Sequence, residues 1–253
     1  MADEHRWGQA VKRWVVVLLV GAIGLACAMP LMADPVRDAI GPTSELAPAL
    51  KQLSILTALS LLPALLIAMT SFTRIVIVLS MVRSALGLQQ TPPNTVLLTL
   101  ALFLTLFSMT PVLQAVKTNA VDPWISKTMD TGAAVQAGWT PFRDFMIRQT
   151  REQDLRAVVD MAGAPQPRTL DDVQALHLVP AFMMSELRTA FQIGFVIFLP
   201  FLLIDLVVAA ILMALGMIMV PPATVSLPLK VLLFLLINGW VLVAQAVLGS
   251  YRH

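Results

Sequence analysis

Charge is what this 253-residue sequence has least of: 13% of its residues are Asp, Glu, Lys or Arg, against about 25% in an ordinary soluble domain. With 58% of residues hydrophobic, that deficit excludes a soluble globular enzyme as the starting assumption. It also excludes disorder, which needs the opposite bias. The formal net charge of +2 is too small to draw the chain to nucleic acid. Cysteine is almost missing: Cys27 stands alone, so there is no disulfide framework and no Cys-based metal site. His5, His177 and His253 are isolated and form no metal-ligand pattern. No G-x-x-x-x-G-K-[ST], G-x-S-x-G or H-E-x-x-H motif occurs, and no two carboxylates sit at helical spacing inside an apolar run. The residues point to no catalytic group, cofactor or metal, and any nucleotide energy comes from another protein.

What the chain does have is apolar length and methionine, with 14 Met residues. The pattern is that of an all-α membrane-associated protein: a signal peptide, then two repeated helical hairpins with Pro-Pro turns flanking a helical periplasmic insert. Residues 1–33 carry the signal. Arg6, Lys12 and Arg13 form its positive start, an apolar core follows, and cleavage falls after Ala28 or Ala33. An uncleaved first membrane helix is the alternative, because the apolar run is about as long as a span needs. A short periplasmic segment, 34–52, leads to the first hydrophobic hairpin at 53–116. A polar insert occupies 117–188, and a second hairpin 189–251. The apolar runs must be helical, since lone strands leave backbone groups unpaired in lipid.

The hairpins read as repeats, with two helix-turn-helix elements that converged on similar turn residues as the alternative. Ala85-Leu86-Gly87-Leu88-Gln89-Gln90-Thr91-Pro92-Pro93-Asn94-Thr95-Val96 aligns without gaps on Ala214-Leu215-Gly216-Met217-Ile218-Met219-Val220-Pro221-Pro222-Ala223-Thr224-Val225, with seven of twelve positions identical. A Pro-Pro pair cannot continue the preceding helix, so Pro92, Pro93, Pro221 and Pro222 mark two turns on the same side of the membrane. With the signal cleaved, that side is the cytoplasm and the insert is periplasmic. Within the insert, Phe142, Phe145, Met146, Leu155, Val158 and Val159 recur at helical spacing. Thr140-Pro141 reads as a helix start and Gly163-Ala164-Pro165 as a stop. A second helix begins near Asp171-Asp172, with Pro180 as a break or kink.

Three features of the apolar runs stand out. Arg74 and Asp205 are lone charges, 18 and 16 residues before their respective Pro-Pro turns. In lipid such groups face a partner or water. The repeat puts them at similar depth, which suggests an Arg74–Asp205 ion pair; separate partners are the alternative. The third feature is Met213, Met217 and Met219, with Ile218 between the last two. These read either as ordinary packing before a turn or as an adaptable apolar seal.

Three stretches resemble the FliP family, core subunits of the bacterial flagellar type III export gate. They are 69–100, opening Met69-Thr70-Ser71-Phe72-Thr73-Arg74; Ser185-Glu186-Leu187-Arg188-Thr189-Ala190-Phe191-Gln192-Ile193-Gly194-Phe195; and 201–240. The resemblance implies a non-enzymatic pore-forming subunit, without cofactor, in the bacterial inner membrane with periplasmic exposure, at the flagellar basal body. It implies further FliP copies, FliQ and FliR as assembly partners, FlhB as an export-gate partner, and unfolded flagellar proteins as cargo. It also implies that the family's Met-rich loop, a gasket closing the channel, falls on Met217, Ile218 and Met219. The homologous subunit of a virulence type III secretion system and a self-sufficient small-solute transporter are the competing readings.

Overall fold

The computed structural model describes residues 52–251, apart from scattered positions between 54 and 66 and positions 89 and 168. The expected signal at 1–33, with its cleavage points after Ala28 and Ala33, and the segment that follows it to 51 lie outside the described residues. Among the described residues all regular structure is helical. Eight α-helices are defined from residue 72 onward: α1 (Phe72–Ala85), α2 (Asn94–Val116), α3 (Asp122–Ile125), α4 (Thr131–Gln149), α5 (Glu152–Met161), α6 (Ala175–Ala214), α7 (Pro222–Leu236) and α8 (Gly239–Gly249). The chain divides into two compact units. One comprises the described residues up to Met69 with Thr110–Ile147; the other comprises Thr70–Met109 with the described residues from Arg148 onward.

In the first unit, the end of α2 passes through a π-helical turn, Lys117–Val121, into α3. Lys117 and Asp122, five residues apart as the π repeat favours, are 3.4 Å from each other across that turn. Trp124 Nε1 donates to Thr131 Oγ1 at 3.3 Å, tying α3 to the start of α4. α4 lies against this segment, where a Cβ at Gly138 would make an ordinary contact, 3.5 Å, with that of Ala120.

In the second unit, α6 is the helix on which the others pack. Ile75, Val78, Leu79 and Val82 of α1 recur at three- and four-residue spacing and are all buried. α1 packs along α6, where Gly194 makes room for the Met81 side chain. Leu97, Ala101, Leu104, Thr105 and Ser108 form the buried stripe of α2. α5 starts with Glu152 and Asp154, which suit the positive end of a helix. It closes at Gly163, whose φ of 63° permits a left-handed cap.

Several expected boundaries shift. The boundary between insert and second hairpin, at 188/189, falls inside α6, which runs for 40 residues through Pro180 and Pro200. Composition placed it where charge density changes; the backbone has no break there. Thr140-Pro141 lies within α4 and does not start it. A proline removes one backbone donor, and α4 continues past that loss. The first arm of the first hairpin is interrupted at Met69–Ser71, ahead of α1. The helix expected to begin near Asp171-Asp172 and run toward the second hairpin is α6, which begins at Ala175 after a 3₁₀ turn at Leu170–Asp172.

Two continuous helical stretches, Asn94–Ile125 and Ala175–Ala214, are long and apolar enough to cross a membrane, and α7 with α8, bent by 66°, makes a third if counted together. At 1.5 Å per residue, α6 is about 60 Å long, twice the roughly 30 Å hydrocarbon core.

Candidate functional site

The functional candidates form two contrasting features of the second unit: buried charges that fasten helices, and an exposed apolar loop. Arg74, on α1, extends to Glu186 on α6. Its Nε donates to Glu186 Oε2 at 2.9 Å, and its Nη2 donates to Oε1, a two-pronged pair with both side chains buried. Arg74 Nη1 also reaches the Ser250 hydroxyl at 2.8 Å and carbonyl at 3.2 Å, just after α8. The guanidinium lies 3.9 Å over the Tyr251 ring, a cation–π arrangement. The Tyr251 hydroxyl sits 3.0 Å from both Glu186 Oε2 and the Ser71 carbonyl. One arginine thus joins three chain segments, and its planar fork suits that role where a lysine would not.

Asp205 makes a second cluster on the same helix. Its Oδ1 accepts from Ser226 at 2.6 Å and its Oδ2 from Lys230 Nζ at 2.6 Å, both on α7. Lys230 Nζ also lies 3.4 Å from the Ala85 carbonyl at the end of α1.

The Arg74–Asp205 pair is therefore not formed within the chain; each charge has its own partner. The repeat alignment supplies the physical reason. Arg74 aligns with Leu203 and Asp205 with Val76, a two-residue offset that rotates side chains by about 200° around a helix. Similar depth did not mean the same face. Reading by composition also missed Glu186, Tyr251 and Ser226. Glu186 was grouped with the polar insert, although it sits on one helix with Asp205. Lys230, too, is a partner that charge counting along the apolar runs does not single out. The usable signal was its position eight residues after Pro222, two turns into an apolar helix.

A third cluster fixes α5 to α6. Ser185 donates to Asp154 Oδ2 at 2.6 Å and accepts from the Arg151 backbone at 3.0 Å. Arg151 Nη2 reaches Gln192 Oε1 at 2.6 Å. The Ser185–Phe195 stretch thus uses Glu186 toward α1, and Ser185 and Gln192 toward the start of α5.

Met217, Ile218 and Met219 occupy the loop between α6 and α7, with side chains 44%, 86% and 94% exposed. Within this chain Ile218 and Met219 are not packed, while Met217 is more than half covered. Gly216, at φ 75°, ends α6 in a left-handed cap, while Pro221 precedes α7 and Pro222 is its first residue. In the first turn, Pro92 and Pro93 precede α2, and Arg83 Nη1 donates to the Pro92 carbonyl at 3.3 Å and to Asn94 Oδ1 at 2.6 Å. The helices are thus held by a buried pair, Arg74–Glu186, and a partly exposed one, Lys230–Asp205, while the tip of the second turn is apolar and exposed.

A family model described as the FliP family matches residues 55–247. The flagellar biosynthetic protein FliP of Pectobacterium carotovorum subsp. carotovorum is 53% identical to the chain over 202 residues, covering 80% of this chain and 77% of that one. The protein of the same name from Bacillus subtilis (strain 168) is 47% identical over 201 residues, 79% and 91% of the two chains. That from Caulobacter vibrioides is 41% identical over 248 residues, 96% and 92%.

Proposed function

The chain belongs to the FliP family, and on that premise we propose that it is a core, non-enzymatic subunit of the flagellar type III export gate, with Met217, Ile218 and Met219 as a gasket across the channel. It works in the bacterial inner membrane, exposed to the periplasm, and passes unfolded flagellar proteins outward. Its partners are further copies of itself, FliQ and FliR, with FlhB beside them.

The observation that carries this reading is the exposed apolar loop. Ile218 and Met219 stand almost wholly exposed and Met217 is partly so; such apolar surface is costly to leave in water and must meet apolar surface or its own kind. Unbranched Met side chains seal irregular shapes and yield by rotamer change, which a gate that admits varied polypeptides requires. Ile218 is stiffer at χ1, so the flexible members are the outer two. The length of α6 supports assembly as well: exposed apolar residues run along it from Leu176 to Met213, about 56 Å, longer than the roughly 30 Å that lipid covers.

The test is Met217→Ala with Met219→Ala in the complex co-expressed with FliQ and FliR. Native mass measurement is expected to show unchanged assembly, and conductance across a bilayer a clear rise in ion leak. An unchanged leak overturns the gasket, and a homo-dimer lacking FliQ and FliR overturns the export-gate reading.

A further inference from the structure

Ile218 and Met219 at the tip of the gasket loop are almost wholly exposed, so the position of the tip comes from the stems on either side. α6 and α7 are apolar helices, and apolar faces alone set register poorly where the surroundings are apolar too; polar contacts between helices set it better. Among the described residues, the side-chain hydrogen bonds that cross from α6 to α7 are those of Asp205 to Ser226 and Lys230.

Their placement is symmetrical. Asp205 lies nine residues before Ala214 at the end of α6, and Lys230 eight residues after Pro222 at the start of α7, so both sit about 12–14 Å below the loop. Ser226 and Lys230 are one turn apart on α7 and take separate oxygens of the Asp205 carboxylate, which fixes rotation as well as distance. The base is anchored too. The last four carbonyls of α1 have no partners within the helix, and three are met by following backbone: Val82 by Leu86, Arg83 by Leu88 and Ser84 by Gly87. The fourth, Ala85, is met by Lys230. The clasp therefore ties the stem of the second turn to the end of the helix that carries the first.

We propose that Asp205, Ser226 and Lys230 are positioning residues for the Met217–Met219 gasket, holding its stem in one register against the end of α1 so that the loop stays seated in the closed gate. The proposal rests on the gasket reading, and the test separates the two. Ser226→Ala, Ser226→Thr and the Met217→Ala/Met219→Ala pair are compared in the co-expressed complex, each with native mass measurement and bilayer conductance. Ser226→Ala is expected to assemble normally and leak several-fold more than the parent. Ser226→Thr, which keeps the hydroxyl, restores the seal. Ser226→Ala adds no leak to the Met double variant, because both act through the same loop.

A tight Ser226→Ala complex beside a leaking Met double variant overturns the positioning role and leaves the gasket standing. A Met double variant that does not leak overturns the gasket itself. Additive leaks place the effect of Ser226 elsewhere and overturn the proposal. Lys230→Arg, which preserves the charge, is the second variant: loss of assembly in both it and Ser226→Ala shows that the clasp holds the fold and not the loop, which also overturns the proposal.

Discussion

The two Pro-Pro turns leave their helices through the same glycine cap and then differ in almost everything that follows. Each preceding helix ends in the same hydrogen-bond pattern, Gly87 to Ser84 at 3.0 Å and Leu88 to Arg83 at 3.2 Å in the first turn, Gly216 to Met213 at 3.0 Å and Met217 to Leu212 at 2.9 Å in the second. Both glycines have φ 75°. The residues between glycine and Pro-Pro are then Leu-Gln-Gln-Thr in one and Met-Ile-Met-Val in the other. Leu86 is 2% exposed while its counterpart Leu215 is 68% exposed. Arg83 and Asn94, which tie the first turn shut, are replaced in the second by Leu212 and Ala223, neither of which can make that bond. One turn is tied shut by its own side chains and the other leaves its apolar side chains exposed.

The largest effect is expected from breaking the fastened side at its root. Arg74→Ala leaves Glu186 buried without its counter-charge, and such a loss costs about 3–5 kcal/mol. The purified complex should melt far lower and accumulate poorly in membranes. Replacing Arg74 and Glu186 together by Met should be milder than either single loss, because no orphaned charge remains. A double variant as damaged as Arg74→Ala would show that Ser250 and Tyr251, not Glu186, are the contacts that matter.

A smaller effect probes what the turns share. Gly87→Ala and Gly216→Ala each force a side chain into left-handed backbone, at a cost of about 1–2 kcal/mol. Neither new Cβ meets a close neighbour, the nearest being Leu227 at 4.0 Å from position 87. The two variants should therefore lose similar thermal stability, while only Gly216→Ala raises bilayer conductance. Equal leaks from both would erase the distinction between the two turns.

Much of this contrast was legible in the sequence, and its limits are physical. The aligned Pro-Pro segments and the helical class follow from backbone chemistry that is local: proline ends helices, glycine caps them, and long uncharged runs need internal hydrogen bonds. The lone charges were visible for the same reason. Their partners were not, because Arg74 and Glu186 are 112 residues apart and only helix packing brings them together. Composition also misassigned Glu186, since a helix can cross from a charged to an apolar neighbourhood without a break. Nor does hydrophobicity tell whether Met219 is packed or exposed; that depends on where the chain turns around it.

The smallest expected effect is the most discriminating, because it separates the two ways in which the turns differ. Arg83→Leu with Asn94→Ala gives the first turn the residues found at the same positions of the second, while its loop stays polar. Losing a tether that is exposed to solvent costs about 1 kcal/mol, so the melting temperature should fall slightly. Conductance should not change, since Gln90 and Thr91 provide no apolar seal to disturb and the Met loop keeps its own clasp. A leak from this variant would mean that the fastening of the first turn is transmitted to the second through Ala85 and Lys230. In that case the closed gate depends on how firmly the first turn is held as well as on the side chains that line it.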